Sequence, residues 1–416
     1  MSNKAIELCD RIRHDKSISL AVAWSFNQLA YAIVYPFIPL YLSNERGLPY
    51  TVVSWIFPLM GFAVILAPIP CGWMTDKFGR SFMMLFGQLG RGVIFFILAF
   101  MVFVNAPFWL FVIFLMLNTA VGVAFQVGSD AYLVDISTEE DRPSYYGKIR
   151  IGFNLGWAVG PMLGAFFAKT PFWLFFLMTG LLCVAGTVYT KVSCCTGTVD
   201  PVRKSKKEKS QGSILPVIFG NRNFMFYMLG TLFLMCLASQ LYSTLSIFST
   251  KIVGVSREAL GSIYSLNGAM VLLLQLPVVE LLKKWKTPVK LQLVAGTLLY
   301  AVGYSLLGFS GGAVAVACAV AIVTFGEIAA QPALYTSIAA ETCQDNAGRM
   351  FSVYSLMRGI GYSVGPWFGA QLFDNFSSSP IILWCALAGF AVASAIVFIF
   401  TEKKSNTNND IQGVKQ

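Results

Sequence analysis

The segment CGWMTDKFGRS, residues 71–81, lies between two long apolar runs and concentrates charge in a chain that has little of it. Asp76, Lys77 and Arg80 fall within five positions, with Gly72 before them and Gly79 directly before Arg80. Only 12% of the 416 residues are charged and 56% are hydrophobic, whereas a soluble domain carries about 25% charged residues. So few charges cannot keep so much apolar surface in water. We therefore expect most of the chain to lie in lipid.

Twelve apolar stretches are long enough to cross a bilayer as helices, which takes about 20 predominantly apolar residues. We expect helices at residues 18–42, 50–74, 82–104, 108–136, 145–169, 172–192, 223–249, 258–282, 288–309, 313–340, 348–373 and 379–400. The longest polar break contains DPVRKSKKEKSQGS and predicts a flexible basic linker. The predicted domains are a tail at 1–17, a six-helix bundle at 18–192, the linker at 193–222, a second bundle at 223–400 and a tail at 401–416.

The distribution of basic residues predicts the orientation of the chain. An even number of spans places both termini on one side, and 24 of the 30 Lys and Arg residues lie on that side. Four lie on the other side, and Arg91 and Arg358 lie inside helices. Since basic residues are enriched in cytoplasmic loops, the termini and the linker are predicted to be cytoplasmic. The charged N-terminus without a cleavage site predicts that the first helix is retained.

The two halves are related in sequence. GWAVGPMLGA, residues 156–165, recurs as GYSVGPWFGA 205 residues later, and Gln126 corresponds to Gln331 at the same offset. Matches between equivalent helices of two six-helix units indicate a duplication, as in transporters built from parallel repeats. Chance similarity between Gly-rich helices is the alternative, and the length of the motif argues against it.

Several functional classes are disfavoured by the sequence. No nucleophile–base pair, metal-ligand cluster or phosphate-binding Gly-rich loop is found, so we expect no enzyme activity, no cofactor, no metal site and no ATP drive. The net charge of +10 resides mostly in short loops and tails, which argues against nucleic acid as a partner. A channel or receptor fits poorly with duplicated halves.

At this point the chain resembles the major facilitator superfamily of transporters over residues 18–400. GWMTDKFGRS resembles the loop G-x-x-x-D-[RK]-x-G-[RK]-[RK] of that superfamily, with Ser81 as the one departure. GWAVGPMLGA resembles its helix-5 antiporter motif G-x-x-x-G-P-x-x-G-G, with Ala165 for the last glycine. Residues 326–355 are similar to multidrug exporters of the MdtH type. The resemblance implies an all-α membrane protein with the major facilitator fold: 12 transmembrane helices in two pseudo-symmetric six-helix bundles, with both termini cytoplasmic.

The resemblance also implies a gate between helices 2 and 3. The acid of this loop would meet helix 11, and the arginine would meet an acid at the end of helix 4, so the halves would be latched on the cytoplasmic side when the cavity faces outward. An ordinary positively charged loop is the alternative, but it leaves Asp76 unexplained. The predicted gate residues are Gly72, Asp76, Lys77, Gly79, Arg80 and Asp135.

The glycines of helix 5 recur every four residues and so share one helix face. Small residues let helices approach closely, and the family interpretation places this face between the halves. Tight packing alone explains the pattern equally well. The motif residues are Gly156, Gly160, Pro161 and Gly164, with Gly361, Gly365, Pro366 and Gly369 in the second half.

Charges inside the membrane are expensive and therefore mark functional candidates. Glu327 is predicted near the midplane, roughly 20 Å from the end of helix 10, and Arg358 about 15 Å into helix 11, where the two can pair. Asp130 and Arg150 are expected to pair nearer the cytoplasm. We favour Glu327 as the proton-binding group and a structural role for the second pair. The arginine that many proton-coupled members carry in helix 4 is replaced by Asn118.

Helices 1, 4, 7 and 10 line the substrate cavity in the superfamily. Apolar and aromatic walls with a few polar groups suit amphipathic ligands, and a carboxylate favours cationic ones. The alternative is that many of these side chains pack between helices. The candidate cavity residues are Asn27, Tyr31, Tyr35, Gln126, Gln240, Tyr242, Gln331 and Tyr335.

The sequence thus predicts a secondary active transporter that works by alternating access. Proton-coupled antiport of amphipathic drugs or metabolites is the leading interpretation. The alternative is a carrier for one defined solute, such as a sugar, a lipid or a nutrient taken up by symport. We expect a monomeric multi-pass protein of a prokaryotic cytoplasmic membrane whose partners are a small-molecule substrate, protons and the lipid bilayer.

Overall fold

The computed structural model describes residues 15–137, 142–166, 170–195, 220–341 and 347–401, and these residues are almost entirely helical. Joined across short breaks, they form twelve long helices. Their bounds are Lys16–Glu45 (α1), Tyr50–Leu66 with Pro68–Phe78 (α2), Arg80–Phe103 (α3), Phe108–Ile136 (α4), Arg142–Phe166 (α5), Phe172–Ser193 (α6), Arg222–Lys251 (α7), Arg257–Lys284 (α8), Val289–Leu307 (α9), Ala313–Glu341 (α10), Ala347–Phe376 (α11) and Pro380–Ile399 (α12). These bounds differ from the predicted ones by at most four residues. The tails and most of the linker lie outside the described residues.

Nine of the described helices are long and apolar enough to cross a membrane, or ten if the two parts of α2 count as one span. Helices α5 and α11 fall outside this group, because glycine and polar residues interrupt their apolar runs. The all-helical membrane fold is therefore confirmed for the described part of the chain. The count of twelve spans and the cytoplasmic position of the termini stay predictions.

Local chemistry sets where the first helices begin and bend. Asp15 caps α1 by accepting hydrogen bonds from Ser17 N at 2.9 Å and Ile18 N at 3.3 Å, and it also pairs with Lys148 Nζ of α5 at 3.0 Å. Partial burial raises the pKa of the Asp15 carboxyl, but these hydrogen bonds outweigh burial and hold its pKa below the usual value. Helix α2 bends by 41° where Pro68 begins its second part, because proline lacks the amide donor that would continue the ladder.

The packing within the first six helices is repeated in the last six. Helix α1 packs against α5 and α6 as α7 packs against α11 and α12, and α3 packs against α4 and α6 as α9 packs against α10 and α12. Between the halves, α2 packs against α11 and α5 packs against α8. We call the end of the bundle where α1 begins and α12 finishes the linker end, and the opposite end the far end. The sequence predicts that the linker end is cytoplasmic.

Candidate functional site

A hydrogen-bonded chain of polar side chains crosses the middle of the second half. Glu327 lies at the centre of the 29-residue helix α10, and its Oε2 accepts from Asn267 Nδ2 of α8 at 3.3 Å. The same Nδ2 donates to Thr324 Oγ1 at 2.9 Å, while Asn267 Oδ1 accepts from the Tyr242 hydroxyl of α7 at 3.2 Å. The acid that the sequence placed at mid-bilayer is therefore connected to a tyrosine three helices away along the chain.

That tyrosine contacts the other half of the protein through an aromatic cluster. The ring of Tyr242 lies 5.0 Å from the ring of Trp157 on α5, measured between centroids. On its other side Trp157 meets Tyr31 at 6.0 Å and Tyr35 at 6.1 Å, and those two rings stack at 4.8 Å. The structure thus brings together three of the predicted cavity residues. Sequence reasoning missed Trp157 because α5 was interpreted through its glycines, and it missed Asn267, a polar residue midway along an apolar helix.

The two predicted intramembrane ion pairs do not form among the described residues. No ion pair within 4.0 Å joins Glu327 to Arg358 or Asp130 to Arg150. Instead Arg358 Nη1 lies 3.5 Å from the Tyr335 hydroxyl, and the guanidinium of Arg150 lies over the Tyr335 ring at 4.8 Å. The matching depth of Asp130 and Arg150, and the short loop between the helices of Glu327 and Arg358, do not specify the direction in which each side chain leaves its helix. The two predicted ion pairs are therefore wrong for this structure.

A buried cation in the first half has a partner that the sequence did not suggest. Arg91 of α3 is 4% exposed, and its Nη1 donates to the side-chain and main-chain oxygens of Asn27 on α1. Asn118, which stands where an arginine was expected, is also buried and donates to the Arg91 carbonyl at 3.3 Å. Asn27 is therefore engaged by Arg91 inside the first half.

Two other predicted cavity residues serve helix packing. Gln240 is fully buried, and its Nε2 donates to the Cys236 carbonyl at 2.7 Å and to the Gly365 carbonyl of α11 at 2.8 Å. Its Oε1 accepts from Thr244 at 2.6 Å, so its polar atoms are used between α7 and α11 and the prediction that it lines the cavity is wrong. Gln331 is half-buried and interacts with Tyr300 of α9. Gln126 lies exposed on α4.

The charged turn between α2 and α3 has part of the expected geometry. Gly79 adopts φ 89°, which L-residues with a side chain rarely adopt, and so it permits the sharp reversal. Arg80 Nε lies 2.5 Å from Asp135 Oδ2 at the end of α4, the partner that the resemblance implied. Lys77 lies over the Trp73 ring at 4.9 Å. No ion pair or hydrogen bond among the described residues joins Asp76 to α11, so its role as a latch stays a prediction.

The glycine motifs pack within each half rather than between the halves. A Cβ on Gly156 would come 2.7 Å from Leu29 N of α1, and one on Gly164 would come 2.8 Å from Ile33 O of the same helix. In the second half the same face of α11 meets α7, where a Cβ on Gly365 would lie 2.8 Å from the Cys236 Cα. The placement of this face between the halves is therefore wrong for this structure. By contrast, Gly72 of the predicted gate is not close-packed, since a Cβ there would meet nothing within 4 Å.

The remaining motif positions follow the same pattern. A Cβ on Gly160 would meet Ala32 of α1, and Cβ atoms on Gly361 and Gly369 would meet residues of α7. Pro161 and Pro366 lie inside α5 and α11, respectively. Both halves thus use one close-packed pair of helices.

Polar contacts between the halves are concentrated at the far end. Arg257 Nη2 of α8 lies 2.9 Å from Glu45 Oε1 of α1, and Lys251 Nζ of α7 donates to Ser43 Oγ of α1 at 2.6 Å. The Arg257 guanidinium also lies over the Phe172 ring of α6 at 4.7 Å. These contacts hold the two halves together at the end opposite the charged turn, so the bundle is closed at its far end.

Comparison with known proteins agrees with this architecture. The family profile described as Major Facilitator Superfamily matches residues 20–366. The chain is 23% identical to the uncharacterized MFS-type transporter YqjV of Bacillus subtilis, covering 95% of this chain and 96% of that protein. It is 23% identical to the multidrug resistance protein MdtH of Salmonella arizonae, covering 91% and 92%. Among solved structures, the chain superposes on a bacterial homologue of the human lysosomal transporter Spinster in its inward-facing and occupied conformation. The TM-score is 0.74 at 14% identity, and the match covers 92% of this chain and 96% of that chain.

Proposed function

Because the chain belongs to the Major Facilitator Superfamily, and is thus a multi-pass membrane transporter of small molecules, we propose that it exports amphipathic drugs or metabolites in exchange for protons. The MdtH similarity supports the multidrug class of substrate. The observation that carries the proposal is the chain of contacts from Glu327 through Asn267 and Tyr242 to Trp157, which links the acid at the centre of α10 to the other half.

The geometry suggests how a proton acts on the transport cycle. When Glu327 is ionised, its Oε2 is an acceptor that orients the Asn267 amide, and the amide oxygen then accepts from Tyr242. Protonation converts one carboxylate oxygen into a donor and weakens the hydrogen bond from Nδ2, because charge-assisted hydrogen bonds are roughly twice as strong as neutral ones. Asn267 and Tyr242 are then free to rearrange where the halves meet. Protonation also removes the cost of a bare charge while the cavity changes side.

Glu327→Gln tests the proton site. In proteoliposomes with an imposed pH gradient, this variant should abolish uphill transport while downhill exchange of a neutral substrate survives. A substrate panel of drugs and metabolites, run on the unmodified protein first, identifies the solute to follow. If Glu327→Gln accumulates substrate against its gradient at the unmodified rate, the proton site lies elsewhere, and Asp130 is the next candidate.

Tyr242→Phe tests the connection between the halves. The variant keeps the ring against Trp157 and removes only the hydroxyl that donates to Asn267. We expect a smaller number of protons exchanged per substrate with little change in substrate binding. Tyr304→Phe is the matched control, because the Tyr304 hydroxyl is buried without a hydrogen-bond partner among the described residues. If both variants exchange the same number of protons per substrate, the Tyr242 hydroxyl has no role in coupling.

A further inference from the structure

Two arginines from opposite halves converge on one tyrosine between the centre of the bundle and the linker end. Arg150 belongs to α5 in the first half and Arg358 to α11 in the second half. The Arg150 guanidinium lies 4.8 Å from the ring centroid of Tyr335, and Arg358 Nη1 lies 3.5 Å from its hydroxyl. The Tyr335 side chain therefore contacts one arginine from each half of the protein.

Neither arginine forms an ion pair with a carboxylate in the described part of the chain. No described acid lies within 4.0 Å of the charged atoms of Arg150 or Arg358. Four described acids have other partners: Asp15 pairs with Lys148, Asp135 with Arg80, Glu327 accepts from Asn267, and Glu341 accepts from Asn221 and Asn223. Asp130 forms no ion pair with Arg150, and Glu327 attracts Arg358 only at longer range. Among the described residues, no direct ion pair therefore neutralises this cluster.

The chemistry of this cluster defines what it binds. Two guanidinium groups that contact the same side chain repel each other, and an anion that contacts both relieves that repulsion. Guanidinium presents a planar fork of donors that matches the two oxygens of a carboxylate or phosphate. The rings of Tyr354, at 5.0 Å from Tyr335, and Tyr362, at 6.0 Å from the Arg358 guanidinium, add apolar surface. We propose that Arg150 and Arg358 bind an oxyanion group of the transported solute.

The inference rests on the proposed function as a carrier and specifies its substrate class. Tyr335 and Glu327 lie eight residues apart on α10, which corresponds to about 12 Å along the helix. The anionic group and the proton therefore occupy separate sites, and Glu327 does not have to act as the counter-ion of the substrate. The solute is then an amphipathic acid, with its oxyanion at the arginines and its apolar body toward the aromatic cluster, rather than the cationic amphipath that Glu327 alone suggested.

The test compares three probes of similar size and different charge. Indole-3-acetate, indole-3-ethanol and indole-3-ethylamine share one ring system and carry an anionic, a neutral and a cationic head group. Binding to the purified full-length protein is measured by isothermal titration calorimetry at pH 7. We expect the acid to bind at least tenfold more tightly than the alcohol and the amine to bind most weakly, since hydrogen bonds to charged groups are worth about 1.5–3 kcal/mol.

Three variants locate the site. Arg150→Gln and Arg358→Gln should each weaken binding of the acid by roughly tenfold or more and leave binding of the alcohol unchanged. Arg358→Lys keeps the positive charge and loses the planar fork of donors, so its affinity for the acid should lie between those of the unmodified protein and Arg358→Gln. The matched control is Lys283→Gln, which removes an exposed cation near the linker end of α8 and should change nothing. The elution volume and the unfolding temperature of each variant verify that it is folded.

The proposal is overturned if the acid binds no better than the alcohol, if it does not bind, or if Lys283→Gln weakens it as much as the arginine variants do. These outcomes are separable from a failure of the proposed function, because calorimetry requires no transport. Arginine-dependent acid binding without pH-driven transport keeps the anion site and rejects proton exchange. Transport driven by pH without any preference for the acid keeps proton exchange and rejects the anion site.

Discussion

The ion pair between Glu45 and Arg257 provides a quantitative test of alternating access. Its side chains are 39% and 27% exposed, so its contribution falls in the range of exposed pairs, about 0.2–1 kcal/mol. Arg257 also lies over the Phe172 ring, a contact worth about 0.5–1 kcal/mol at exposed sites. Glu45→Gln removes only the ion pair, whereas Arg257→Gln removes both contacts. The ratio of far-end-open to far-end-closed protein should therefore rise roughly 1.5- to 5-fold in the first variant and roughly 3- to 30-fold in the second.

Pulsed dipolar spectroscopy measures this ratio directly. Spin labels at Val104→Cys and Phe309→Cys, in a background without native cysteines, report the distance between the far ends of the two halves, and both positions are well exposed. Arg46→Gln is the matched control, because Arg46 hydrogen-bonds to the Ala106 carbonyl within the first half at 2.8 Å. Raising the salt concentration to 1 M should shrink the effect of Glu45→Gln, since the Debye length falls to about 3 Å. An unchanged distance distribution in Arg257→Gln would refute the assignment of this pair as a contact that holds the far end closed.

Three further predictions address the gate, the topology and the helix packing. Asp76→Asn should slow transport with little loss of expression, because Asp76 lies in the last turn of α2, where the helix dipole does not stabilise a carboxylate. A turnover equal to that of the unmodified protein removes the gate role. A reporter fused after Gln416 should behave as cytoplasmic, and activity only outside would reverse the predicted topology. Gly365→Ala should destabilise the fold by about 1–3 kcal/mol, because its Cβ overlaps Cys236, whereas Gly359→Ala has nothing within 4 Å and should not; equal unfolding temperatures would contradict the packing of α11 on α7.

The helices were predictable because lipid leaves a chain few options. Backbone groups in the hydrocarbon layer must be paired within a helix, so long apolar runs between turn residues mark the helices to within four residues. The ion pair of Arg80 with Asp135 was also predictable, since a sequence motif and its resemblance to a family specify both partners.

The directions of side chains around the bundle were not predictable in the same way. The sequence gives the depth of a residue along its helix, but the rotation of that helix is set by its neighbours. Gln240 was assigned to the cavity, yet α7 turns it onto α11, where the Gly365 carbonyl requires a donor. Arg150 was assigned to Asp130 by equal depth, yet α5 directs it across the halves to Tyr335. Both errors concern which neighbouring helix a side chain contacts, and these contacts between helices determine the site of a transporter.

The contacts at the far end are weak, as expected for a protein that must change state. The far-end ion pair between Glu45 and Arg257, worth about 0.2–1 kcal/mol, and the hydrogen bond from Lys251 to Ser43 bias the equilibrium but do not lock it. To move a two-state equilibrium from 1:99 to 99:1, a ligand needs a difference in affinity of about 5.5 kcal/mol between the states. One exposed ion pair falls well short of that difference, so under the two proposals the proton at Glu327 and the anion at Arg150 and Arg358 would supply it. The charged groups at the centre should therefore drive the cycle, and those at the ends should set the resting state from which it starts.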